Sequence, residues 1–196
     1  MATPLDPADV LVVADAAAWR AWLDLHEDGP DGVWLALAKK GVDAPTSLTY
    51  DAALEEALCS GWIDGPIRRI DDRVFGQRFT PRRTASLWSA RNVGIVAALV
   101  ADGRMRERGL AEVERAKADG RWDRAYAGAA TAEVPADLAA ALAASPAAAA
   151  RFAELNRQNR YAVIHRVVTA PSATARGNRL AKLVALLESG GAPYPQ

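Results

Sequence analysis

One cysteine, two histidines and two methionines are all the sulfur and imidazole that 196 residues contain. A lone thiol, Cys59, leaves no internal disulfide and no cysteine-built zinc site, and places the chain in a reducing compartment. His26 and His165 have no neighbours at metal-ligand spacing, so neither a metal nor a cofactor is expected. No apolar run approaches the roughly 18 residues that cross a bilayer. The opening "MATPLDPADV" lacks the basic start and apolar stretch of a signal peptide. A cytoplasmic protein without a membrane partner is the expectation. Walker loops, GxGxxG and paired carboxylates are also missing, and Ser60 in "CSGW" is no nucleophile elbow. With no lysine-rich arm and no net charge, a nucleic-acid partner is not expected.

What is present is an ordinary globular composition with an unusual distribution of charge. Hydrophobic residues make up 51% and charged residues 24%, enough for a sizeable core. Residues 1–65 carry three basic and twelve acidic side chains, whereas 66–91 carry seven arginines against Asp71 and Asp72. Residues 92–196 are again basic, fourteen against ten. Either the acidic front docks on the basic remainder, or some arginines are left for an anionic ligand.

Periodicity divides the chain into elements. "VLVV" (10–13) and "GVWLALAKK" (32–40) read as strands, the second central because both its faces are apolar. "DAAAWRAWLDLHEDG" is a helix capped by Asp15, and "TSLTYDAALEEALCSG" another that starts near Thr49. "WID", "IRRID" and "VFGQRFTPR" are strand-length pieces, the first two separated by a Gly65-Pro66 turn. From Ser89 onward the chain is helical. The predicted fold is α+β: a small, mainly antiparallel sheet with flanking helices over 1–130, then an all-helical module over 131–196.

"VWLALAKKG", "TYDAALEEALCSGWIDG", "QRFTPRRTASLWSARN", "ADGRMRERGLAEVERAKADGRWDRAY" and "NRYAVIHRV" occur in consistent order. Together they resemble the bacterial YdeI/OmpD-associated family, also labelled bacteriocin-protection. Residues 134–190, with "TARGNRLAKLVALL" near their end, resemble the helical module behind that label. The resemblance implies a part in resistance to antimicrobial peptides and association with an outer-membrane porin. It carries over no catalytic residues.

The candidate site lies in "CSGWIDGPIRRIDDRVFGQRFTPRRTASLWS". Alternation puts Arg78, Thr80 and Arg82 on one strand face and Trp62 with Asp64 on one face of another. A surface carrying all five offers forked donors for a carboxylate or phosphate and a ring for stacking. Trp88, Ser89 and Asn92 follow at a helix start, where exposed amides favour anions. The expected partner is a small anionic ligand or an acidic peptide. An enzyme using the same cleft would take Asp64 as acid/base and Arg78 as stabiliser of developing negative charge. A third reading is an ionic network with no ligand. In that case Asp64 is a turn residue, Trp62 and Trp88 are core anchors, and Thr80 and Ser89 are a strand-end hydroxyl and a helix cap. The arginines' anions would then be Asp51, Glu55 or Glu56.

Overall fold

A computed structural model describes residues 7–195. It is α+β with two compact units: 1–86 with 92–123, and 87–91 with 124–196.

The first unit is built on a four-stranded sheet: β1 (Val10–Leu11), β2 (Val33–Ala38), β3 (Trp62–Arg69) and β4 (Val74–Pro81), in the order β1-β2-β4-β3. β2 and β4 are central, as the two-sided apolar pattern of "VWLALA" predicts, and both β2–β4 and β3–β4 are antiparallel. Only Val10 and Leu11 of the expected first strand enter the sheet, pairing parallel to β2. Gly65-Pro66 does not turn the chain. β3 runs through it as a bulge, the register shifting between Asp64 and Ile67. Proline can occupy this position because the strand is at an edge and needs no outward ladder bond there.

Helices α1 (Ala16–His26) and α2 (Tyr50–Cys59) begin where their caps predict, with the Asp15 and Thr49 side chains accepting from Ala18 N and Ala52 N. Trp19 on α1 is wholly buried, 5.7 Å from Phe79 and 6.4 Å from Trp62 between ring centres. Its indole N–H donates to Ala53 O at 3.1 Å, tying α1 to α2. Leu35 and Leu37 of β2 are also wholly buried. Helices α3 (Ala90–Ala101) and α4 (Glu107–Ala118) follow. α4 lies so close to the end of α2 that a Cβ at Gly109 would collide with the Cys59 carbonyl.

The second unit has four further helices: α5 (Ala136–Ala143), α6 (Pro146–Glu154), α7 (Arg157–Val168) and α8 (Ala173–Glu188). Their core is aliphatic around one ring: Leu138, Leu142, Phe152, Val163, Val167, Leu183 and Leu187. Asn159 is buried, and its amide grips the backbone of Tyr194 from both sides, accepting from its N–H at 2.8 Å and donating to its carbonyl at 3.2 Å.

Candidate functional site

The register of β3 on β4 decides which side chains meet. Trp62 pairs with Pro81 and Asp64 with Phe79, so these share the face that packs on α1 and α2. Arg78 pairs with Trp34, and Thr80 with Ile63, on the opposite face. The surface expected to unite Trp62, Asp64, Arg78 and Thr80 is therefore not formed: two residues stand on each side of the sheet. The sequence pattern gave each strand's alternation correctly but carried no information on which phase of one strand faces which phase of the next.

Each expected residue has a definite place. Trp62 is wholly buried, its indole N–H donating to Glu27 O at 3.0 Å, and it packs edge-on against Trp19 and Trp22. Asp64 is half-buried and accepts the Tyr50 hydroxyl at 2.9 Å. Arg82 follows β4 and is 5% exposed, its backbone N–H bonded to Gly61 O. Trp88 and Ser89 belong to the second unit, where Trp88 is buried and Ser89 bridges to Tyr126. Asn92, on α3, is buried.

Two of the acids named as possible partners of Arg78 and Arg82, Glu55 and Glu56, are taken by other arginines. Arg104 bonds Glu55 and Glu56, each at 2.7 Å, which raises its pKa further. Arg106 adds Glu56 at 3.2 Å and Asp24 at 3.1 Å, and bonds the Ser60 hydroxyl. Arg108 reaches Asp28 at 3.4 Å. The acidic front of the chain is thus stapled by "RMRER", which follows α3.

Arg78 keeps its guanidinium for the other side of the sheet, where Trp34 is the residue that alternation alone did not single out. Arg78 lies over the Trp34 ring at 5.9 Å, and Arg68 from β3 lies over it at 5.1 Å. Arg68 is two strands away from Trp34, and the position between them is Gly76, paired with both Arg68 and Ala36. A glycine and an alanine there let a long side chain reach the ring across the intervening strand. Among the described residues, neither Arg68 nor Arg78 has a hydrogen bond or ion pair through its guanidinium. Two like charges on one indole are held by weak cation–π attraction, each contact contributing about 0.5–1 kcal/mol at solvent-accessible positions. Gly32 lies beside this group: a Cβ there would collide with Phe79 O and the Thr80 methyl and come within 3.1 Å of Arg78 Nε.

Other nucleophiles and acids fall away. Cys59 is wholly buried, and burial followed by the nearby Glu56 charge pushes its thiol up to about 11. No group of three His, Cys, Asp or Glu able to hold a metal occurs among the described residues. No helix is long and apolar enough to cross a membrane.

Fold and site together define a mixed-sheet α+β protein with an arginine-flanked indole on the sheet face opposite α1 and α2. The chain belongs to the family described as Domain of unknown function (DUF8412), whose model matches residues 11–112. Residues 131–190 match the family described as Bacteriocin-protection, YdeI or OmpD-Associated, which bears out the resemblance seen in the sequence. No curated protein and no solved structure matches the chain.

Proposed function

We propose that the chain is a binding protein for a small anionic ligand, held by Arg68 and Arg78 beside Trp34. One observation carries this reading: two guanidiniums share a ring while no described carboxylate neutralises either of them. Guanidinium forks suit phosphate and carboxylate, and the Thr80 hydroxyl on the same face adds a further hydrogen-bonding group. The lone buried thiol supports a reducing, cytoplasmic setting. A protective role would follow the description of the family matched by residues 131–190.

The reading in which Asp64 and Arg78 work together as acid/base and anion stabiliser loses its support, because the two stand on opposite faces of the sheet.

The test is calorimetric titration with inorganic phosphate, citrate and a glutamate-rich peptide. Citrate or phosphate should bind saturably to the wild type, weaken at least tenfold in Arg78→Ala, and be lost in Arg68→Ala/Arg78→Ala. A heat signal confined to the peptide would move the partner to a protein. Equal binding by the double variant would overturn the site.

A further inference from the structure

Helices α7 and α8 and the loop 124–133 enclose a hollow of about 290 Å³, lined by Tyr126, Ala127, Glu133, Tyr161, Ile164 and Arg176, among others. That is the small end of ligand pockets, with room for one or two fused rings. Its floor is aliphatic: Ile164 is 5% exposed, and Val168 lies one turn further along α7. Its walls are aromatic. The Tyr126 and Tyr161 rings stand 4.7 and 5.5 Å from the His165 ring, which holds both in place. A hollow with fixed walls costs little ordering to fill.

The polar groups with capacity left decide what it takes. Arg176 gives its donors to Asp137, at 2.6 and 2.8 Å, and to Val167 O at 3.2 Å. Arg124 also has a partner within the protein. A carboxylate or phosphate entering here would give up water and find no spare guanidinium in its place.

The remaining groups are acceptors. The Tyr161 hydroxyl donates to Ala127 O at 3.1 Å, and both residues line the hollow. Burial, then the neighbouring Tyr126, raises the Tyr161 pKa, so the proton stays in that bond. With its proton committed, Tyr161 Oη has only lone pairs to offer a ligand. Glu133 has no ion pair or hydrogen bond among the described residues and is likewise an acceptor. It is exposed, however, and an ion pair formed in water contributes little. The lining therefore asks for a donor at the wall and an uncharged ring over the floor.

We propose that this hollow binds a small, uncharged aromatic molecule with one N–H or O–H donor, of the indole or phenol type. Its ring lies over Ile164 and Val168 between the two tyrosines, and its donor meets Tyr161 Oη.

Calorimetry or ligand-observed NMR on the full chain tests this with indole, benzofuran, indole-3-propionate and tryptamine. Indole should bind saturably. Benzofuran, which keeps the ring shape but has no donor, should bind about fivefold more weakly, the loss of one neutral hydrogen bond. Tyr161→Phe should lower indole to the benzofuran affinity and leave benzofuran unchanged, a difference that a general loss of structure would not produce. Indole-3-propionate and tryptamine, which bring a charge to a lining with no spare guanidinium and no buried carboxylate, should bind no more tightly than indole. Ala132→Trp should fill the hollow and abolish binding, with an unchanged circular dichroism spectrum confirming the fold. Arg78→Ala should bind indole as the wild type does, which separates this site from the sheet site. Absence of indole binding, equal affinity for benzofuran, a gap between the two that persists in Tyr161→Phe, or a preference for either charged analogue would overturn the proposal.

Discussion

Arg78 and Trp34 face each other directly across the β2–β4 ladder, guanidinium over ring at 5.9 Å. Because the contact is half-buried and weak, Arg78→Ala should cost the fold no more than about 1 kcal/mol. Urea unfolding checks this, and a larger loss would give Arg78 a structural role. Trp34→Ala should cost more, because it also removes the ring beside Ala36 and Gly76, both buried.

Gly32→Ala should disturb the same site without touching a charge. The added methyl would run into Phe79 O and Thr80 and press on Arg78 Nε, so β4 or the loop before β2 must shift. An overpacked position of this kind costs about 1–3 kcal/mol. The expected outcome is a lowered midpoint in urea together with weakened citrate binding. Unchanged binding would mean that Gly32 does not set the position of Arg78.

Glu56 is the hub of the ionic cluster, 7% exposed and bonded by both Arg104 and Arg106. Removing one partner of a buried pair leaves charge uncompensated, so Glu56→Ala should destabilise by about 3 kcal/mol. Glu55→Ala, whose carboxylate is far more exposed, should cost well under 1 kcal/mol. Comparison of the two variants in one unfolding series tests the ranking.

Much of this fold was legible in the sequence. Asp15 as a cap, the helix start near Thr49, the centrality of β2 and the helical second unit follow from local chemistry and periodicity. The site was legible only in part. Arg78 stood out as a cation on a strand, but its companions depend on cross-strand register, which no single strand encodes. Arg68 and Trp34 meet through the smallness of Gly76 and Ala36, a signal visible only once the strand order is known. The Gly65-Pro66 pair looked like a turn because both residues favour one, and the edge location of β3 overrode that preference.

His165 predicts a pH dependence with a definite sign. Burial, then the nearby Arg179 charge, holds its pKa below the usual imidazole value. The unfolded chain therefore binds the proton more readily, and stability rises with pH up to the unfolded value of about 6.5. The melting temperature should be flat above that point and fall on acidification below it. His165→Phe should flatten the profile between pH 5 and 6.5, before the depressed carboxyls of Asp71 and Asp137 titrate. A profile that His165→Phe leaves unchanged would assign the loss to another group.

Cys59 should resist thiol reagents at pH 8 in the native protein and react fully in denaturant, since a wholly buried thiol pushed up to about 11 is neither accessible nor ionised. Rapid native labelling would require opening of the α2 end beneath Gly109.

The bulge at Gly65-Pro66 bears on how molecules behave in a crowd. A sheet border offers a template to which foreign chains can zip, and a proline with a kink spoils the long border of this sheet, while the opposite border is only two residues long. Neither margin invites polymerisation, so concentrated stocks should stay dispersed, and replacing Pro66 by valine is the change that would put that tolerance at risk.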